Sequence, residues 1–307
     1  MNIQEEAKKY LHDCQFQKKL NAKTIKAYSI DLKQFLKYLS TTKDQSLSKI
    51  NISVYMQGLH KQYRPQTVKR KLASLRAFCN YLEFEEILEP SPICKIKIKF
   101  QEPKVLPRTI SLKTIECILT AAHLEIKIAQ TPFSAFVALR DATMLELLFA
   151  TGMRISELCS LGAKDIDLEH GTIKIMGKGS KERILQIGNQ EVLAILRKYA
   201  KLNEPGSSQF GYFFINRQGF RMSEQSVRFM LRKLRKQAGV SMHITPHMFR
   251  HSFATLLLEE DVGIRYIQQM LGHSSIQTTQ IYTQVTTEKQ RQILTTKHPR
   301  NKMTVES

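Results

Sequence analysis

The chain has 307 residues, a length that predicts two domains of ordinary size. A hydrophobic content of 42% at a net charge of +20 excludes an intrinsically disordered chain. The sequence contains no transmembrane-length apolar run and no apolar signal core at its N-terminus. Its five cysteines are odd in number and form no CxxC pair, which disfavours a disulfide framework or a structural zinc site and predicts a reducing, cytoplasmic location.

The positive charge is spread over the whole sequence. Residues 1–100 contain 19 basic and 9 acidic residues, and residues 101–307 contain 28 and 18. This distribution predicts a polyanionic partner that meets both halves, and it favours nucleic acid over an anionic membrane surface. The alternative is a soluble basic protein whose Lys side chains are only solvated.

Residues 1–99 predict a helical domain, because apolar residues recur there at helical spacing in two stripes. We expect Thr24 to cap the first helix, and the second helix to follow Pro65. The first stripe comprises Ile25, Tyr28, Leu32, Phe35, Leu36 and Leu39, and the second Val68, Leu72, Leu75, Cys79 and Leu82.

Four basic residues are predicted to lie off the second stripe, namely Lys69, Arg70, Lys71 and Arg76. Cationic side chains on an exposed helix face can contact DNA phosphates, which position a protein without reading base sequence. An ordinary solvated helix face is the alternative.

Residues 90–108 are rich in Pro and Lys, which predicts a stiff basic linker. We therefore divide the chain into a helical domain at 1–99, a linker at 100–110, a second domain at 111–285 and a C-terminal tail at 286–307. Two basic domains joined in this way could close around a DNA duplex.

The sequence of the second domain predicts an α+β fold that is mainly helical with a small β-sheet. Capping residues and helix-ending glycines predict helices at 112–123, 140–151, 190–202, 224–238, from Pro246 onward, and at 264–271. Two short strands, at 172–175 and 184–187, are predicted to form a hairpin through 177–181.

Three segments of this domain carry residues that could perform chemistry. In the first, Arg154 begins a helix after a glycine, and Glu157 lies three residues later on the same face. The carboxylate could hold the guanidinium in one orientation. The alternative is a surface ion pair, which contributes under about 1 kcal/mol.

The second segment places His247 and Arg250 three residues apart on one helix face. His243, His247 and His251 have a spacing that could suggest a metal site. We predict no metal there, because no Glu follows His247 as in zinc peptidases and Arg250 would repel a cation.

The third segment is Leu271-Gly272-His273, with Tyr282 nine residues after the histidine. A tyrosine in a helix is usually a core residue, which is the alternative interpretation of Tyr282. Lys178 lies between two glycines in the predicted hairpin, but the spacing does not fit a phosphate-binding P-loop.

Taken together, these segments resemble the tyrosine recombinase, or phage integrase, family, and the likeness is greatest to the bacterial Xer recombinases. The family pattern is a TGxRxxEL segment, a hairpin Lys, H-x-x-R, LGH and a later Tyr. This sequence supplies Arg154, Lys178, His247, Arg250, His273 and Tyr282 in that order. Residues 1–99 resemble the family's SAM-like core-binding domain more loosely. Gln284 departs from many relatives, which carry His there.

The resemblance implies a covalent mechanism without a cofactor. Tyr282 would attack the scissile phosphorus to give a 3′-phosphotyrosine, with His247 as the candidate base. Arg154, Arg250 and His273 would stabilise the phosphate, and Lys178 would protonate the leaving 5′-oxygen. Glu157 would support Arg154.

The resemblance implies a site-specific recombinase that forms a homo- or heterotetramer on double-stranded DNA, through a Holliday junction and possibly with a second recombinase. Chromosome or plasmid dimer resolution, as in Xer enzymes, is the leading role, ahead of integration, excision or inversion of a small mobile element. A type IB topoisomerase and an inert DNA-binding module are the remaining alternatives. A C-terminal segment of one protomer would dock on the next.

Overall fold

The computed structural model describes residues 2–88, 90–93, 108–176, 182–203 and 211–272. The chain separates into two compact units, Met1–Lys104 and Val105–Ser307. Within the described ranges, no helix is both long and apolar enough to cross a membrane.

The first unit is helical in its described part, as predicted, but it contains four helices, two more than the two apolar stripes indicate. They are α1 (Ile3–Phe16), α2 (Ala22–Leu39), α3 (Lys49–Gln62) and α4 (Pro65–Phe84). Both predicted stripes lie in the helices, and a core of tightly packed apolar side chains includes Leu32, Phe35, Phe78 and Leu82.

The start of α2 differs from the sequence prediction. Asn21, not Thr24, is the residue before the helix, and its side-chain oxygen accepts a hydrogen bond from the backbone N–H of Lys23 at 2.9 Å. Asn is among the best residues at this position, and its side chain reaches an N–H that has no partner within the helix. The prediction for Thr24 is therefore wrong by one helical turn.

Lys71 also departs from its predicted position. It is only 4% exposed, and its Nζ lies 3.1 Å from Oδ1 of Asp31, which is itself 3% exposed. Arg70 pairs with the other oxygen of the same carboxylate but keeps an exposed side chain. The placement of Lys71 on the outer face of α4 is therefore wrong, whereas Lys69, Arg70 and Arg76 are exposed as predicted.

The second unit is mainly helical in its described part. Its helices are α5 (Leu112–Ile128), α6 (Pro132–Thr151), α7 (Ile155–Ser160), α8 (Gln190–Leu202), α9 (Glu224–Gln237), α10 (Pro246–Glu259) and α11 (Ile264–Leu271). Ser111 caps α5, and glycines with left-handed backbone end α6 and α11, as predicted. α6 begins earlier than predicted because Thr131 and Ser134 cap it reciprocally.

A three-stranded antiparallel sheet completes this unit, in the order β1 (Ile166–Asp167), β2 (Thr172–Met176) and β3 (Glu182–Gln186). Its two longer strands confirm the predicted pair, with Ile173 opposite Leu185 and Ile175 opposite Arg183. Both isoleucines and the leucine face the core. The connection between the strands, residues 177–181, lies outside the described residues.

The beginning of the described part of this unit is attached to α10. The backbone N–H of Ile110 donates to Oγ of Ser252 at 2.7 Å, and both residues are buried. The segment that enters the domain is thus bonded to the helix that carries His247 and Arg250.

Candidate active site

Arg154 is placed by the turn between α6 and α7. Gly152 ends α6 with a φ of 59°, and Arg154 is the residue before α7. A Cβ at Gly152 would lie 2.5 Å from Cδ1 of Phe253, so this turn needs glycine both for its backbone and for its space. The TG sequence before Arg154 thus has a local structural reason.

Glu157 binds Arg154 twice. Its Oε2 accepts from the backbone N–H of Arg154 at 2.8 Å, and its Oε1 accepts from Nη1 at 2.9 Å. The Glu157 side chain is only 7% exposed, whereas Arg154 is 34% exposed. The predicted pairing of these residues is present, and the buried carboxylate distinguishes it from an ordinary surface ion pair.

Arg183 is a member of this cluster that the sequence did not reveal. Its Nη1 and Nη2 donate to the two oxygens of Glu157 at 3.0 and 2.8 Å. One signal in the sequence indicates an inward position for Arg183. Side chains alternate along a strand, and Arg183 lies on the same side of β3 as buried Leu185. The predicted strand begins at residue 184, whereas β3 begins at Glu182, so the prediction leaves Arg183 outside the strand.

The pKa of Glu157 reflects both burial and its two arginines. Burial alone would raise this pKa, but the hydrogen bonds and charge of Arg183 and the bonds from Arg154 outweigh it, so the pKa lies below its usual value. Glu157 is therefore an anion that holds two guanidinium groups.

Arg250 lies inside the domain, at 4% exposure. Its Nη1 donates to the carbonyl oxygen of Gly152 at 2.8 Å, and its Nη2 donates to that of Leu271 at 2.6 Å. These two carbonyls lie at the ends of α6 and α11. Arg250 thereby joins the turn that leads to Arg154 with the turn that leads to His273.

His247 lies on α10 one turn before Arg250 and is exposed to solvent. Desolvation by surrounding protein lowers its pKa, and the charges of Arg250, Arg228 and Arg154 lower it further. His251 is half-buried, and its pKa is lowered by burial, by His247 and by Arg250. A histidine with a lowered pKa is neutral near pH 7 and can accept a proton.

Lys178, His273 and Tyr282 lie outside the described residues. The structure therefore brings together Arg154, Glu157, His247 and Arg250 from the predicted set, and adds Arg183. Among the residues that the structure describes, no group of three His, Cys, Asp or Glu side chains could hold a metal ion. The cluster offers guanidinium groups and a neutral imidazole, which suit a phosphate oxyanion and a proton acceptor.

The comparisons with known proteins agree with this chemistry. Residues 119–289 match the "Phage integrase family", and residues 7–86 match "Phage integrase, N-terminal SAM-like domain". A tyrosine recombinase of Agathobacter rectalis is 49% identical over 97% of this chain and 98% of its own length. The chain belongs to the phage integrase family. It is accordingly a site-specific DNA recombinase that uses a tyrosine.

Other relatives carry Xer names. The recombinase is 36% identical to tyrosine recombinase XerD of Halalkalibacterium halodurans, over 95% of this chain and 96% of the relative. It is 30% identical to tyrosine recombinase XerC of Bacillus pumilus, over 95% of each chain. These likenesses extend over both units, so the resemblance in the sequence is confirmed at the level of the family.

Solved structures confirm the predicted fold class. XerA recombinase is 27% identical, with a TM-score of 0.54 over 96% of this chain and 99% of that one. XerH bound to a palindromic difH substrate has a TM-score of 0.74 at 24% identity, over 94% and 83% of the two chains. A lambda integrase tetramer bound to a Holliday junction has a TM-score of 0.67 at 17% identity, over 91% and 76%.

Proposed function

We propose that this recombinase acts in the manner of Xer enzymes, resolving chromosome or plasmid dimers at a specific DNA site in the cytoplasm. The proposal is supported by the XerD and XerC names of full-length relatives. Integration, excision or inversion of a small mobile element is the second candidate, favoured by the likeness of fold to the Tn1549 transposon integrase in complex with transposon DNA.

The observation that carries the catalytic proposal is the bonding of Arg250 to the carbonyls of Gly152 and Leu271. This contact ties together the segments that lead to Arg154 and His273. Six residues act in the proposed site: Arg154, Lys178, His247, Arg250, His273 and Tyr282.

In the first step, the hydroxyl oxygen of Tyr282 forms a bond to the scissile phosphorus as its bond to the 5′-oxygen breaks. A free tyrosine has a pKa of about 10, so only about 0.1% is ionised at pH 7. His247 takes the phenol proton, and Lys178 gives a proton to the leaving 5′-oxygen. The products are a 3′-phosphotyrosine and a 5′-hydroxyl.

In the second step, the oxygen of a 5′-hydroxyl of the partner duplex forms a bond to the phosphorus as its bond to the Tyr282 oxygen breaks. Lys178 takes the hydroxyl proton, and His247 returns a proton to the Tyr282 oxygen. The phosphodiester energy is conserved, so no energy source is consumed. Arg154, Arg250 and His273 stabilise the added charge of the pentacoordinate state. These cationic and hydrogen-bonding groups require no metal or cofactor for charge stabilisation, and activity is expected to survive excess EDTA.

The proposed assembly is a tetramer of this chain, or of this chain with a second recombinase, on two duplexes. The helical domain at 1–99 and the catalytic domain at 111–285, joined by the linker at 100–110, each bind DNA. Lys69, Arg70 and Arg76 contact its phosphates. Within the tail at 286–307, Ile293 and Leu294 fill a pocket on the next protomer, since head-to-tail contacts can close into a ring.

Two measurements test this function. Formation of an SDS-resistant protein–DNA adduct separates a catalytic enzyme from an inert binding module. The second measurement uses a site selected from random DNA by binding to the full chain. Strand exchange between two copies of this site separates a recombinase from a type IB topoisomerase. Relaxation of supercoils without exchange would contradict the proposal.

A further inference from the structure

Arg183 contacts two elements that are distant from it in the chain. Its two terminal nitrogens bind both oxygens of Glu157 in α7, and its Nε donates to the carbonyl oxygen of Met270 at 3.2 Å. Met270 lies near the end of α11, three residues before His273. One side chain in β3 therefore bonds both α7 and the end of α11.

The contact between Arg183 and Glu157 is enclosed by protein, since the side chains are 13% and 7% exposed. Two parallel bonds fix the plane of the carboxylate, which a single bond would leave free to rotate. The same carboxylate accepts the bonds from Arg154. The direction in which Arg154 points therefore depends on Arg183.

Gly272 makes room for this arrangement. Its φ is 63°, and a Cβ placed there would lie 3.0 Å from both Cδ and Nη1 of Arg183. The guanidinium thus packs closely against the turn that follows α11. Glu157 and this turn together restrict its position.

We propose that Arg183 is a positioning residue for strand cleavage, acting through Glu157 on Arg154. This inference rests on the proposed function. Its guanidinium binds protein acceptors, so the assigned role is to orient the group that meets the phosphate. A shift of about 1 Å in such a group can slow a reaction about 10²-fold.

The experiment uses the full chain and a nicked DNA duplex that traps the cleaved state. The duplex contains a site selected from random DNA by binding to the wild type. Arg183→Gln is expected to lower single-turnover adduct formation by about 10- to 100-fold with little change in DNA affinity. The matched control is Arg197→Gln, which removes an arginine bonded to the carbonyl of Leu168 at 2.9 Å. The control is expected to cleave at the wild-type rate.

A coupling measurement distinguishes positioning from a general structural role. In a Glu157→Gln background, adding Arg183→Gln is expected to slow cleavage by no more than about twofold, because both changes interrupt the same route to Arg154. Losses that multiply would overturn the inference.

A modified substrate separates Arg154 from the leaving-group acid. When sulfur replaces the bridging 5′-oxygen, the leaving group needs no proton, so a defect acting through Lys178 would disappear. Arg183→Gln is expected to remain slow relative to wild type on this DNA. Restored cleavage would contradict a route through Arg154.

Thermal unfolding of each variant checks that the domain is intact. If Arg183→Gln does not fold, Arg183→Lys decides the matter, because lysine keeps the charge but cannot bind both carboxylate oxygens in the same plane. A rate about tenfold below wild type supports the inference, and a wild-type rate refutes it. Failure of the wild type to form an adduct would refute the proposed function itself, and the inference with it.

Discussion

Nη1 of Arg250 lies 2.8 Å from the carbonyl oxygen of Gly152, two residues before Arg154. Its Nη2 binds the carbonyl of Leu271 at the same time. A guanidinium has five N–H donors in a planar fork, so arginine can hold two carbonyls and also face a phosphate. Lysine has no such fork, and we expect Arg250→Lys to lose almost as much activity as Arg250→Ala.

The first prediction concerns Arg154→Ala and Arg250→Ala. Each is expected to lower cleavage by about 10²–10³-fold or more, because the charge that these residues stabilise grows in the transition state. DNA affinity should change far less. Single-turnover cleavage and binding titrations measure the two effects. Near-wild-type cleavage by either variant would make that arginine only a structural ion-pair partner.

The second prediction concerns Tyr282→Phe, which removes only the hydroxyl. We expect DNA affinity within a few-fold of wild type and no covalent adduct on a nicked substrate, because phenylalanine has no nucleophilic oxygen. An adduct still formed by this variant would assign the nucleophile to another residue.

The third prediction concerns pH. Desolvation by surrounding protein and the charges of Arg250, Arg228 and Arg154 lower the pKa of His247. The imidazole is therefore neutral at pH 7. The second-order rate constant for adduct formation should fall only when the pH drops below the ordinary histidine pKa of about 6.5. His247→Gln should remove this fall, whereas His251→Gln should keep it. An inflection above pH 7 would argue against His247 as the base.

The fourth prediction separates the basic residues of α4. Lys69→Ala and Arg76→Ala should each weaken DNA binding and reduce the slope of log affinity against log salt by about 1, because a phosphate contact releases a counterion. Lys71→Met is the control, since Lys71 is buried against Asp31 and should not change the slope. Equal slopes for all three variants would remove α4 from the DNA interface.

The control also predicts a loss of stability. Lys71→Met removes one of the two cations that bind the buried Asp31 carboxylate, and Arg70 remains paired with it. The variant should therefore lower the free energy of unfolding by less than the roughly 3–5 kcal/mol that breaking an isolated buried pair costs. The salt series is therefore run well below the melting temperature of the variant, with folding checked by circular dichroism.

The fifth prediction concerns the tail. Truncation after Thr286 keeps all six proposed catalytic residues and should leave binding to a single site nearly intact. Cooperative binding and strand exchange should weaken, because each protomer of a ring needs its link to the next. If the truncated chain recombines paired sites as fast as the full chain, the tail has no role in assembly.

Local signals account for most of what the sequence could predict. Ser111, Gly152 and Gly272 act within one turn of their own helices, and the helix ends that they predict are present. For Lys71, helical spacing alone indicates the buried face of α4. It lies three residues after Val68 and four before Leu75, on their face of α4, although a charged residue is ordinarily predicted on the outer face.

The buried network required information that local patterns do not contain. Lys71 can be buried because Asp31, 40 residues away in sequence, neutralises it. Arg183 likewise depends on Glu157, 26 residues before it, and on a carbonyl 87 residues after it. Helix and strand periodicity place both residues on the inner side, but each charge is stable there only because a distant partner is present, and periodicity does not reveal that partner.

The bond between Ile110 and Ser252 has a practical consequence for chimaeric enzymes. In such an enzyme, the helical domain of one recombinase, which we propose contacts DNA, is joined to the catalytic domain of another. A junction placed upstream of Ile110 would keep this buried anchor native. A junction downstream of it would put a foreign backbone against the helix of His247 and Arg250, so that a hybrid could bind its DNA yet cut it poorly.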